Sequence, residues 1–201
     1  MYTSTGVRYI PNVLTVARIL VTPLLLLLLT VPSQEGQASA VALFVLASLS
    51  DYYDGVLARR FQVRSRLGQY LDPLADKILV LGTFGMLAVQ EPTLVPWWAV
   101  GVIAFRDAAV TALRSWVEAG GRTLQTYRVA KGKTMLQLLF LFGLLVLRTA
   151  THLAAPVGDW AAWVLYESAL PGAALAIVVG FTVATGALYF LAPAEERIEV
   201  E

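Results

Sequence analysis

The chain has 201 residues, 58% of them apolar and only 14% charged, with a formal net charge of +1. Soluble domains carry about 45–50% apolar and about 25% charged residues, so a chain this short cannot hide its apolar surface in a water-soluble fold, and lipid must be the solvent for much of it. The absence of cysteine and the single histidine, His152, exclude disulfides, zinc-thiolate sites, iron–sulfur clusters and His-rich metal sites, so any metal must rely mainly on oxygen ligands.

A bilayer core needs about 20 apolar residues at ~1.5 Å each. Six stretches qualify, roughly 13–31, 38–60, 71–90, 93–118, 131–153 and 169–191. The first of them, with Arg8 before it, the leucine run Leu24 to Leu29 and Ala38-Ser39-Ala40 beyond it, resembles a secretory leader with a cleavage site. We read it as a retained first span. Asn12, Thr15 and Arg18 share one face at its start, where they either cap the helix or border a substrate pocket. Pro32-Ser33-Gln34-Glu35-Gly36, Glu91-Pro92 and Pro171-Gly172 supply turn chemistry between spans. Tyr52, Tyr53, Trp97 and Trp98 suit anchoring at the membrane interface. The expectation is an all-α, polytopic membrane protein with six transmembrane helices, and residues 1–201 as a single integral membrane domain. There is no internal repeat, and no G-x-x-x-G pattern marks a helix interface.

Lys and Arg set the orientation. The stretch 58–66 holds Arg59, Arg60, Arg64 and Arg66, and the stretch 114–133 holds Arg114, Arg122, Arg128, Lys131 and Lys133. Arg8, Arg18 and Arg197 belong to the termini. The loops near 32–37, 90–96 and 149–168 hold no Lys or Arg, and only Arg148 sits close to that side. The basic loops are therefore expected in the cytoplasm, with both termini. The opposite half, with His152, reads as featureless.

One stretch carries chemistry. Asp51 and Asp54 are three apart, and Asp72 and Asp76 are four apart, so each pair shares one face of its helix. The pairs fall at the cytoplasmic ends of two adjacent antiparallel spans joined by a short basic loop, which lets four carboxylates converge. Pro73 is expected in the first turn of the third helix, where its missing N–H costs nothing. An acidic side chain deep in a bilayer costs roughly 2.5–3.5 kcal/mol, and four that repel one another need compensation. One or two divalent cations would supply it; carboxylate and water ligands favour Mg²⁺ or Mn²⁺, with Ca²⁺ an alternative. Two such ions could hold a pyrophosphate. Ala58, seven residues from Asp51, leaves room for a ligand on that face, and Arg59 is either a phosphate contact or a positive-inside anchor.

The run from Asp51 to Asp76 resembles the signature of the CDP-alcohol phosphatidyltransferases, D-x2-D-G-x2-A-R-x8-G-x3-D-x3-D, at every specified position. The resemblance implies the CDP-alcohol phosphotransferase fold, commonly homodimeric. It also implies roles: Asp51, Asp54 and Asp72 as metal ligands, and Asp76 as both ligand and general base. Asp51, Gly55, Ala58, Arg59, Gly68 and Asp72 would bind the cytidine diphosphate. The acceptor hydroxyl, deprotonated by Asp76, would attack the lipid-bearing phosphorus of CDP-diacylglycerol and expel CMP.

Three further segments, Pro11 to Arg18, Arg106 to Trp116 and Lys131 to Gln137, resemble those of phosphatidylglycerophosphate synthases, which implies glycerol 3-phosphate as acceptor. Inositol phosphate, or phosphatidylglycerol giving cardiolipin, is the alternative acceptor within the family. Arg106 lies inside a long apolar helix, where an unpaired cation is costly. With Arg114, Lys131 and Lys133 it could form a cationic pocket for a phosphate ester; alternatively it pairs with Asp107 or another acid while the rest anchor the membrane surface. A cation transporter is the reading from another class, disfavoured because the acids cluster at one end. The expected partners are the two substrates, membrane lipids and a second copy of the chain, with no nucleic acid.

Overall fold

The computed structural model describes residues 10–61, 66–120, 122–123, 128–191 and 195–196, with side chains described at 15–50, 75, 77–117, 119–120 and 132–191. The described chain is helical: α1 (Ile10–Leu29), α2 (Gln34–Phe61), α3 (Arg66–Gln90), α4 (Trp97–Ala119), α5 (Arg128–Ala150), α6 (Val157–Ala162) and α7 (Leu170–Leu191), with one π-helical turn at Trp163–Glu167. The all-α expectation holds, with one minimal strand pairing beside the helices. Two-residue strands β1 (Arg122–Thr123) and β2 (Glu195–Glu196) pair antiparallel, with Arg122 opposite Glu196.

The six long helices coincide with the six apolar stretches, and α1, α2, α3 and α5 begin before theirs. Helix propagation adds one backbone bond per residue, so a helix has no reason to stop where its apolar run does. One consequence corrects the expectation for Pro73. Because α3 begins at Arg66, Pro73 is its eighth residue and not part of its first turn. The helix gives up the backbone bond that an N–H at that position would make. A second correction concerns the stretch 149–168, expected as loop, which folds into α6 and the π-helical turn.

Helix α1 lies against both α2 and α3, α2 reaches α5, and α7 is flanked by α4 and α5. Leu25 and Leu29 of α1 are fully buried with Phe44, Leu79, Phe84 and Leu141, and the Phe84 and Phe140 rings stack 5.9 Å apart. Ala38 to Ala40 lie within α2. The α1–α2 turn is fixed by two polar side chains. Ser33 Oγ accepts from the Gly36 N–H at 3.1 Å, capping α2. Gln37, 2% exposed, donates through Nε2 to the Leu29 and Val31 carbonyls at 3.0 and 2.8 Å, satisfying the end of α1. Gln37→Leu strands those acceptors away from water and is expected to cost about 1–3 kcal/mol. Thermal unfolding in detergent would show the loss, and an unshifted midpoint would mean that the turn holds without it.

The outward faces are apolar. Leu20, Leu46, Phe105, Met135, Ile177 and Leu191 are 62–81% exposed, whereas soluble monomers rarely leave contiguous apolar surface of this kind uncovered. By length and composition, Gly132–Ala150 and Leu170–Leu191 are long and apolar enough to cross a membrane, and Thr15–Leu29 and Lys77–Gln90 are shorter apolar stretches. Trp97, Trp98, Trp160 and Trp163 are exposed together near the start of α4 and around α6. That end is not featureless. The Tyr166 hydroxyl donates to Glu91 Oε1 at 3.3 Å, and Arg148 Nε lies 3.9 Å from the same oxygen. Burial, reinforced by the Glu91 carboxylate, pushes the Tyr166 hydroxyl above its ordinary pKa. Beside it a cavity of about 590 Å³ is lined by Thr93, Leu94, Leu165, Tyr166 and Ser168.

Candidate functional site

Asp51 and Asp54 occupy the last three turns of α2, and Asp72 and Asp76 the first three turns of α3. Both helices are unbroken through these positions, so each pair sits one turn apart along its axis. The side chains of the four aspartates, with those of Gly55, Ala58, Arg59, Gly68 and Lys131, lie outside the described residues, as do Asn12, Tyr52 and Tyr53. Among the described residues no three His, Cys, Asp or Glu converge as a metal site. A donor set made of carboxylates alone is the chemistry that hard, oxygen-seeking divalent cations take.

The described surroundings begin one residue beyond Asp76. Lys77 Nζ donates to Thr111 Oγ1 of α4 at 2.7 Å, and Thr111 Oγ1 donates in turn to the Asp107 carbonyl at 2.7 Å. This chain joins the aspartate-bearing helix to the cationic residues of α4.

Those residues meet where α4, α5 and α7 come together. Lys133 Nζ donates to both Asp107 carboxylate oxygens, at 2.7 and 2.8 Å. Arg106 Nη1 donates to Asp107 Oδ1 at 3.2 Å, Nε to the Thr182 carbonyl at 3.1 Å, and Nη2 to Thr185 Oγ1 at 3.2 Å. The side chains of Arg106, Asp107 and Lys133 are 12%, 10% and 8% exposed. Two cations therefore share one carboxylate in a site nearly closed to water. One turn deeper on α5, Gln137 Nε2 donates to Thr182 Oγ1 at 3.2 Å, both residues being fully buried.

Arg106 lies across α7 because residue 186 is glycine. A Cβ there would stand 2.8 Å from Arg106 Cγ and 3.1 Å from Nε. The guanidinium carbons of Arg106 and Arg114 each lie 5.9 Å from the centroid of the buried Tyr189 ring, within cation–π reach. Of the four cations expected to bind a phosphate, the structure thus brings Arg106, Arg114 and Lys133 to one end of the bundle. It also pairs Arg106 with Asp107, the other arrangement the sequence left open, and puts Lys133 on the same acid.

Thr15 and Arg18 are buried at 0% and 2% exposure, and Arg18 Nε donates to the Ala47 carbonyl of α2 at 3.2 Å. With α1 starting at Ile10, neither is a cap. Sequence reasoning missed Thr182, Thr185, Gly186 and Tyr189, whose helix reads as plain lipid-facing span. Gln137 had a signal, four residues after Lys133 and hence on its face.

The family model for CDP-alcohol phosphatidyltransferase matches residues 8–186. A CDP-diacylglycerol–glycerol-3-phosphate 3-phosphatidyltransferase of Bacillus subtilis (strain 168) is 31% identical over 194 residues, covering 90% of this chain and 93% of its own. The proteins of the same description from Pseudomonas fluorescens and Rickettsia typhi (strain ATCC VR-144 / Wilmington) are 37% identical over 139 residues and 30% over 185. The former comparison covers 68% of this chain and 71% of the relative; the latter covers 92% and 97%.

Proposed function

The chain belongs to the CDP-alcohol phosphatidyltransferase family, and from that premise we propose that it transfers the phosphatidyl group of CDP-diacylglycerol to glycerol 3-phosphate, giving phosphatidylglycerophosphate and CMP. The observation that carries the choice of acceptor is the pairing of two buried cations with one carboxylate, tied through Thr111 and Lys77 to the helix of Asp76. Among the described residues this is a buried positive surplus, unfavourable unless an anion joins it, and a phosphate monoester is such an anion. The relatives named above, described by this reaction, support the same reading.

Arg106, Arg114, Lys131 and Lys133 would hold the acceptor phosphate. Asp51, Gly55, Ala58, Arg59, Gly68 and Asp72 would hold the cytidine diphosphate. Asp51, Asp54, Asp72 and Asp76 would hold one or two divalent ions, Mg²⁺ or Mn²⁺, which supply charge neutralisation for the diphosphate when bound. Asp76 takes the proton of the acceptor hydroxyl, whose oxygen attacks the phosphorus bearing the diacylglycerol. A new P–O bond forms there, the bond to the bridging oxygen breaks, and CMP leaves. The protein would work as a homodimeric, single-domain enzyme of six spans in the bacterial plasma membrane, with its site and both termini in the cytoplasm. The Lys/Arg distribution and the apolar outward faces support that setting.

The test uses purified protein in detergent with CDP-diacylglycerol, Mg²⁺ and labelled glycerol 3-phosphate. Saturable incorporation of label into lipid, lost in EDTA and restored by Mg²⁺, is the expected result. Release of CMP with inositol phosphate or phosphatidylglycerol alone would keep the family and overturn the acceptor.

A further inference from the structure

Asp107 is the one carboxylate among the described residues that both Lys133 and Arg106 reach. Both its oxygens are occupied as acceptors of the Lys133 ammonium, and Oδ1 also takes the Arg106 guanidinium. A lysine ammonium rides on a flexible four-carbon stem and holds no fixed position unless something fixes it. Here that something is Asp107, because among the described residues both hydrogen bonds of Lys133 Nζ go to it. Arg106 is held more widely: by Asp107, by the Thr182 carbonyl, by Thr185 Oγ1 and by the space that Gly186 leaves.

A guanidinium has five N–H groups and an ammonium three. Among the described residues three of the former and two of the latter are engaged, which leaves donors on both cations for a ligand. Resting on the acceptor assignment made above, we propose that Asp107 is a positioning residue for the acceptor: it fixes the Lys133 ammonium beside the Arg106 guanidinium so that both donate to one phosphate monoester.

A second role for the same acid predicts the opposite result. If Asp107 only balanced charge, its removal would make the pocket more positive and draw a phosphate in more tightly. If it positions Lys133, removal frees the ammonium and weakens the acceptor. The experiment is therefore the KM for glycerol 3-phosphate, at saturating CDP-diacylglycerol and Mg²⁺, for the full-length protein and for Asp107→Asn. A rise of about tenfold is expected, with the KM for CDP-diacylglycerol moved by less than about threefold. Lys133→Met should raise the acceptor KM similarly, and Asp107→Asn added to it should change little more, because the acid acts through the lysine. Asp107→Glu, which keeps the counter-charge, is the variant to read if Asp107→Asn does not fold. Its longer stem displaces the ammonium, and a rise of about threefold is expected.

A lowered or unchanged acceptor KM in the folded Asp107 variants, or full additivity with Lys133→Met, overturns the positioning role and leaves the activity standing. Wild-type protein that incorporates no glycerol 3-phosphate overturns both.

Discussion

Asp76→Asn is expected to lower turnover by about 10²–10⁴-fold at saturating concentrations of both substrates, the range that a positioned general base contributes. Asparagine matches aspartate in shape but takes no proton from the acceptor hydroxyl, and it removes one of four charges that would hold the metal. The substitution should leave the fold intact. Its neighbour Ala75 is fully buried, and Lys77 is tied across to Thr111, so this turn of α3 is held on both sides of residue 76. A thermal midpoint close to wild type would separate the chemical loss from unfolding. Retention of more than about a tenth of wild-type turnover would remove Asp76 from the role of base.

The second large effect is expected at Arg106. Arg106→Met should raise the KM for glycerol 3-phosphate by about tenfold to a hundredfold, the equivalent of one charged hydrogen bond at about 1.5–3 kcal/mol. The KM for CDP-diacylglycerol should stay near wild type. Arg106→Lys should not restore binding. An ammonium cannot reach the Thr182 carbonyl, Asp107 and Thr185 at once, nor lie flat against Tyr189 as a planar guanidinium can. A purely structural Arg106 would give another pattern. Asp107 would keep Lys133 as partner, the protein would lose stability, and the acceptor KM would not move. Initial rates at varied acceptor concentration decide between the two.

The readable and the unreadable parts of this protein divide along a physical line. The aspartate run is local: eight spaced residues within 26 positions, on two helices that follow one another. Spacing of this kind survives without knowledge of the fold, because helical periodicity alone sets which residues share a face. Helix length is local too, which is why all six long helices were legible from apolar stretches. The boundaries were less so. The helices run on into polar sequence, and Pro73 turned out to sit inside one.

What the sequence by itself determined, then, is the class: a helical chain rich in apolar stretches, membership in one family, and the carboxylates that would carry its chemistry. What only the tertiary structure decided is the company kept by the cations. Arg106 meets Thr182 and Thr185, 76 and 79 residues later, and Asp107 meets Lys133, 26 residues later. No periodicity links those positions. Threonine and glycine in α7 look like ordinary membrane helix until α4 is laid against them, and only then does Gly186 become the space in which Arg106 lies. A buried charge must find its partners wherever close contact between helices offers them, and those contacts are a property of three dimensions.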